Sequence, residues 1–339
     1  MRLVDLYGQI ASGPFFDDLH VGQVFDSAPS MTLTSGVAAT HHAILGDRMR
    51  LPLDAGLSAA VTGEVAPLAH PALVCDVAIG QSTHVTQRVM ANLFYRGLTF
   101  HRFPVIGDTL STRTEVVGLK QNSAKPGRRA TGLAALRVTT TDGDGRLVLD
   151  FHRCAMLPLS ADTVSTGNRD DMDAIGAAAG SPADLVAHWD IDAFRSRVSG
   201  SGSTPAVGTV LRSSADVVSS APELARLTLN IAATHHDSRV SGKRLVYGGH
   251  TIGLALAQAT RLLPNLVVVE GWESCRHTAP VHEGDTLYSD LTIEASQPRA
   301  DGNGVTVRLR SVVYAVTDDV DGDGADRAVL DWVFTALVG

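Results

Sequence analysis

The chain repeats itself once, and that repeat limits what it can fold into. Gly22-Gln23-Val24-Phe25 recurs as Gly208-Thr209-Val210-Leu211, and Leu45-Gly46-Asp47 followed by Asp54 recurs as Thr228-Leu229-Asn230 followed by Asp237. Pro67-Leu68-Ala69-His70 falls where Tyr247-Gly248-Gly249-His250 falls, and Val105-Ile106-Gly107-Asp108-Thr109-Leu110 matches His282-Glu283-Gly284-Asp285-Thr286-Leu287. Taken in order, the matched positions lie 186, 183, 180 and 177 residues apart. Two copies of one unit that differ by small deletions give a spacing that shrinks in this way. The fold must therefore be one that can be built twice.

Each half shows the same order of elements. A short β stretch (residues 30–33 and 213–218) leads to an Ala-rich helical stretch (36–45 and 222–234), then a loop, then an apolar helix (71–79 and 251–262). Ala, Leu and small residues at helical spacing mark that second helix as buried. Strands with β-rich or alternating patterns close each half, at 132–140 and 147–157, then 304–316 and 328–337. Asp142-Gly143-Asp144-Gly145 and Asp321-Gly322-Asp323-Gly324 read as hairpin turns, because an EF-hand loop needs a terminal Glu and flanking helices that are missing here. One helix wrapped by an antiparallel sheet, given twice, is an α+β architecture whose two sheets can cover each other's edges. The expected division is 1–159, a linker at 160–207, and 208–339. The linker is rich in Ser, Gly, Ala and Asp, with a flexible Ser199–Ser203 stretch, a solvated Asp170–Asp173 run and a short element near 185–198.

Composition removes several classes of function. A net charge of −8 excludes a general nucleic-acid or anionic-membrane binder, so an anionic ligand needs a local cationic cluster. The three cysteines, Cys75, Cys154 and Cys275, lie far apart and fit neither a zinc site nor a disulfide framework. With no signal-like N-terminus and no long apolar run, the expectation is a cytoplasmic protein without a membrane span.

The chemistry-bearing segment runs from Asn230 through Thr234-His235-His236-Asp237 to Tyr247-Gly248-Gly249-His250, with three histidines inside sixteen otherwise mostly apolar residues. His suits proton transfer near neutral pH. Adding water across an α,β-unsaturated thioester needs a base for the water and an acid for the α-carbon. It also needs donors for the oxygen that becomes enolate-like, and free amides at a Gly-led helix start could be those donors. His236 reads as a capping residue or a partner of Asp237.

This segment resembles the motif Gly-Asp-x-Asn-Pro-x-His of the MaoC-like hydratase/dehydratase family of hot-dog proteins. The likeness covers both halves apart from the linker, including Phe94-Tyr95-Arg96-Gly97 and Phe103 to Leu110, which resemble the strands lining that family's acyl-CoA tunnel. It implies a tandem hot-dog fold, with Asn230 at the motif's Asp position, His235 at its His position and Gly249 supplying the amide that holds the thioester oxygen. In the first half Gly46-Asp47 keeps the pair but Pro52 stands where His belongs, so neither half has a complete motif. Asp47 either contributes across the pseudo-twofold interface or caps its helix. His70 and His250 read as hydrogen-bonding residues at helix starts or as catalysts, and His41 and His42 as structural or substrate-proximal.

The stretches THHAILGDRMRLPLD, THHD and LVYGGHTIGLALAQ are more specific. Their resemblance implies reversible hydration of mesaconyl-C1-CoA (2-methylfumaryl-CoA) to β-methylmalyl-CoA, with no metal or redox cofactor, on a homodimer-forming scaffold. A carboxylate on the substrate gives Asn230 a rationale, since a second carboxylate in a low-dielectric pocket would repel it. Such a substrate also needs a cation, for which Arg239, Arg96 and Arg276 are the candidates, while residues 125–129 (KPGRR) read either as a site for CoA phosphates or as an exposed hairpin tip. The alternatives are an (R)-specific enoyl-CoA hydratase or 3-hydroxyacyl dehydratase of broader range, a hot-dog acyl-CoA thioesterase, and a non-enzymatic acyl-CoA binder.

Overall fold

The computed structural model describes residues 13–124, 126–176, 184–198, 204–317 and 326–339. Residues 1–12, Lys125, the 199–203 stretch and the Asp-rich turn at 321–324 lie outside the described residues.

The strands of the first half are β1 (Val24–Phe25), β2 (Met31–Thr32), β3 (Ala91–Phe100), β4 (Thr109–Gln121), β5 (Thr131–Thr141) and β6 (Leu147–Pro158). Those of the second are β7 (Val210–Arg212), β8 (Asp216–Val217), β9 (Leu266–His277), β10 (Thr286–Pro298), β11 (Val305–Ala315) and β12 (Arg327–Val338). They form one sheet in the order β1-β4-β5-β6-β3-β9-β12-β11-β10-β7, with β2 and β8 paired to β4 and β10. The halves meet where β3 runs antiparallel to β9, with Tyr95 opposite Cys275 and Leu98 opposite Trp272. Each half would otherwise leave that strand as an open edge.

The two apolar helices fill the concave side. Every residue of the Pro71–Gln81 helix is buried, as is Gly249–Thr260 of the Gly248–Leu262 helix. The strands supply alternating side chains: β10 alternates half-buried and buried residues from Thr286 to Ile293, the period that a sheet with one covered face requires. Leu73, Ile79 and Phe151 from one half join Ile252, Leu256 and Trp332 from the other in a single hydrophobic cluster. The duplicated units share a core as well as an edge.

Two expectations fail here. The helical stretch expected over 222–234 stops at Leu227. Leu229 takes a left-handed φ of 60°, and the Asn230 amide turns back to the Ala225 carbonyl at 2.9 Å, so propensity gives way to a turn. Of the segment expected as a linker, the short element near 185–198 is present as the helix Ile191–Arg197, and the parts expected to be flexible or solvated are packed where they are described. Met172 and Ile175 cover Phe94, Ala135 and Cys154 on the outer face of the sheet, and Trp189, Ile191 and Phe194 pack against Leu57, Val61 and Val267. Asp170 is likewise not simply solvated, since it accepts the Leu119 amide at 2.8 Å.

The halves pack tightly at Gly80, where a Cβ would lie 1.6 Å from the Thr228 carbonyl oxygen. No side chain fits against backbone at that distance. Gly80→Ala is therefore expected to destabilise by about 3 kcal/mol, outweighing the ~1 kcal/mol that Ala gains in helix propensity. A lower urea midpoint at unchanged m-value is the expected reading; an unchanged midpoint would show that the contact yields freely.

Candidate active site

The Gly248–Leu262 helix begins with two glycines, and its N-cap residue Tyr247 makes no side-chain cap. The first amides of a helix have no intrahelical acceptor, and they carry the positive end of the helix dipole. A cavity of about 360 Å³ opens beside this terminus. Its walls come from both halves: Thr83, Thr86, Tyr95 and Arg153 from the first, and Asn230, His235, Tyr247, Gly248 and His277 from the second.

His235 sits in a short 3₁₀ turn and is 9% exposed. Its Nδ1 lies 2.9 Å from the Leu245 carbonyl. A carbonyl only accepts, so Nδ1 carries the proton and Nε2 keeps its lone pair. Burial pushes the imidazole down to about 4, which keeps it neutral and its lone pair available at ordinary pH. Asn230, on the same cavity wall, accepts the Ala232 amide on Oδ1 at 3.0 Å, so its NH₂ is the end left to orient a water by donation.

The loop carrying both side chains is held by the other half. Thr83 Oγ1 accepts the Ile231 amide at 3.0 Å, and the Gln87 carbonyl accepts the Ala233 amide at 3.0 Å. His236 closes the loop on itself by donating from Nε2 to the Asn230 carbonyl at 2.6 Å, in place of the helix cap or Asp237 pairing expected of it.

The structure moves the other candidates away from the cavity lining. Asp47 is buried, accepts the Met49 amide at 2.7 Å and lies 3.0 Å from His70 Nε2, a pair enclosed in the first half. His70 also accepts the Ala72 amide on Nδ1, as a helix-start residue should. His250 is fully buried, with no hydrogen-bond partner on either ring nitrogen. At Gly249 a Cβ would lie 2.1 Å from Asp76 Oδ1, and it is Gly248, one residue earlier, that lines the cavity.

The three expected arginines are otherwise engaged. Arg96 bonds the Met172 and Ile175 carbonyls, held there by the packed linker. Arg239 folds back onto Asp237 at 2.6 Å, as neighbouring charges two residues apart readily do, and Arg276 pairs with Asp331 at 3.1 Å. Among the described residues no group of three or more His, Cys, Asp or Glu is placed to hold a metal ion, and no helix is long and apolar enough to cross a membrane.

No family model matches the chain. A solved structure from Mycobacterium tuberculosis, described as a conserved hypothetical protein with a double hotdog fold, is 63% identical, with 99% of each chain covered and a TM-score of 0.90. A putative MaoC domain protein dehydratase from Chloroflexus aurantiacus is 25% identical over 97% of this chain and 98% of its own, with a TM-score of 0.81. The chain belongs to the MaoC-like double hot-dog family. Two curated relatives of this MaoC-like chain are the β-methylmalyl-CoA dehydratase of Chloroflexus aurantiacus, 28% identical, and the mesaconyl-CoA hydratase of Cereibacter sphaeroides, 27% identical. Each alignment covers 96% of this chain, and 97% and 98% of those proteins.

Against that family background, four residues that line or support the cavity of this MaoC-like protein were not read from the motif: Arg153, Asp76, Tyr247 and His277. Asp76 is buried in the Pro71–Gln81 helix, where it accepts from Tyr247 Oη and His41 Nε2, each at 3.0 Å. It thereby fixes the phenol next to the start of the opposite helix. The signal for Asp76 is a lone acid inside Leu-Val-Cys-Asp-Val-Ala-Ile, where an unpaired charge would be costly.

Proposed function

We propose that this chain is a hydro-lyase that reversibly adds water across the double bond of an enoyl-CoA thioester. The observation that carries the reading is the placement of His235. Its proton is committed at Nδ1, its lone pair is left at Nε2, and it shares a cavity with Asn230 and an uncapped helix start.

In the hydration direction Asn230 donates to a water, and His235 Nε2 takes a proton from it as its oxygen attacks the β-carbon. The thioester oxygen gains charge beside the Gly248 end of the helix, where free amides stabilise it. Asn cannot titrate, so the proton for the α-carbon returns from the His235 imidazolium. That imidazolium is a strong acid because burial disfavours the charge. The scheme calls for no metal or redox cofactor.

The names of the two curated relatives support a short, branched, carboxylated acyl group. Our reading of the reaction is mesaconyl-C1-CoA to β-methylmalyl-CoA, by a cytoplasmic protein that forms homodimers. The test is incubation with mesaconyl-C1-CoA, crotonyl-CoA and longer straight-chain enoyl-CoAs, following loss of the conjugated thioester absorbance together with free thiol. Hydration without thiol release is the expected result. Thiol release would instead indicate a thioesterase, and faster turnover of long straight chains a hydratase of broader range.

A further inference from the structure

The sequence pointed to Arg96, Arg239 and Arg276, but the cavity contains a different arginine. Arg153 is 4% exposed, lines the cavity from β6, and is the only Lys, Arg, Asp or Glu among the described lining residues. On the strand it is in phase with Leu149, Phe151, Ala155 and Leu157, all buried, so the sheet directs it inward. Its rung of the sheet continues through Tyr95 to Cys275, which places it at the seam between the halves.

Its partners are all neutral. One Nη donates to Thr86 Oγ1 at 2.5 Å and to the Ser82 carbonyl at 3.4 Å, while Nε has no hydrogen-bond partner. Among the described residues no carboxylate forms an ion pair with it. A buried guanidinium cannot shed its proton, and leaving such a charge uncompensated costs several kcal/mol. A protein that keeps one facing a cavity has a use for an anion there.

The place of that anion follows from geometry. Arg153 and His235 line the same cavity, and Tyr95, opposite Arg153 on the sheet, stands 6.0 Å ring to ring from His277 on that wall, so the guanidinium belongs to the part of the cavity that holds the base. The phosphates of CoA are separated from the thioester by the whole pantetheine arm and cannot occupy that place while the double bond faces His235. The anion must belong to the acyl group.

We infer that Arg153 is the specificity residue that clamps a carboxylate at the far end of the acyl chain, restricting the pocket to carboxylated acyl-CoA thioesters. The inference rests on the reading of this cavity as the acyl site, and it deepens that reading by naming the group that selects the substrate. Bidentate pairing would also fix how far the chain enters, setting the reacting carbons against His235 Nε2.

The test uses saturated thioesters, so that it does not depend on turnover. Calorimetric binding of methylsuccinyl-CoA and of butyryl-CoA is compared in the full-length wild type, Arg153→Met and Arg153→Lys. The wild type is expected to prefer the carboxylated ester by about 50-fold, as for a charge-assisted pair. Arg153→Met is expected to bind the two within about threefold, and Arg153→Lys to fall between. A wild type that binds both equally overturns the inference even if neither variant folds, and so does an Arg153→Met protein that keeps the preference. An equal loss on both esters, in a variant with unchanged melting temperature, overturns it too by assigning Arg153 to the thioester rather than the carboxylate. Failure of the hydratase reading would appear separately, as tight and selective binding without hydration of any enoyl-CoA.

Discussion

Replacing His235 by alanine is expected to lower kcat for hydration about a thousandfold, while KM changes by less than about threefold. General acid–base catalysis by a positioned side chain is typically worth ~10²–10⁴ in rate. Here the residue at 230 is an amide, so both proton transfers fall on one imidazole, and the loss belongs well above the lower end of that range. The effect should sit in kcat, because His235 makes its interaction with the attacking water as the transition state forms and not with the bound acyl group.

His235→Gln provides the structural control. It can still meet the Leu245 carbonyl through its amide while offering no titratable nitrogen, so it should fold like wild type and lose the same activity. Steady-state kinetics on whichever enoyl-CoA the wild type hydrates, with melting temperatures for each variant, would decide it. Activity within about tenfold of wild type in both variants would mean that the base lies elsewhere on the cavity wall. His277, whose Nε2 has no hydrogen-bond partner, would be the next residue to examine.

Which parts of this site could be read from the sequence follows a physical division. Asn230 and His235 lie on one loop, and a fixed separation of five residues carries most of their relation, so a local pattern suffices. The duplication was equally legible, because landmarks such as Gly107-Asp108-Thr109 and Gly284-Asp285-Thr286 mark turns that only certain residues can make. Arg153 is different. Strand phase alone would have placed it inward with Phe151 and Ala155. Which cavity an inward residue of β6 faces depends on β6 pairing with β3 and β3 pairing with β9 of the other half. That order is fixed by the docking of two units, and no local pattern encodes it.

The same division explains the failures. Arg96 and Arg239 were chosen because they stand next to motif segments, but proximity along the chain says nothing about the face of a strand or the partner of a loop. Arg96 is captured by residues more than seventy positions away. The helix expected through Thr234 looked continuous in composition, but it breaks at Leu229, where Gly80 of the other half leaves room for the Thr228 carbonyl.

Acid is expected to unfold this protein well above the pH at which its carboxylates titrate. Burial pushes both His235 and His250 down to about 4 from an ordinary value of 6.5. Between those values the unfolded chain binds protons that the folded chain refuses. Stability therefore rises with pH across that window and is lost as pH falls from 6.5 toward 4. Each histidine accounts for about 3 kcal/mol over the full window, so the two together approach the whole stability of an ordinary domain, ~5–15 kcal/mol. His41 and His277 are shifted in the same direction by burial. The carboxyls of Asp237, Asp290 and Asp331, held below the usual range by Arg239, Arg212 and Arg310, add their loss only below about pH 4. Urea titrations between pH 5 and 6 should accordingly give an unfolding free energy that changes by about 2.3 kcal/mol per pH unit from these two histidines, somewhat less than one full proton from each. His250→Leu isolates one of them. Neither ring nitrogen of His250 has a partner to orphan, so the variant should fold at neutral pH and show a slope shallower by about 1.2 kcal/mol per pH unit. A variant whose curve runs parallel to that of the wild type would mean that His250 takes up its proton in the folded state at the ordinary pH.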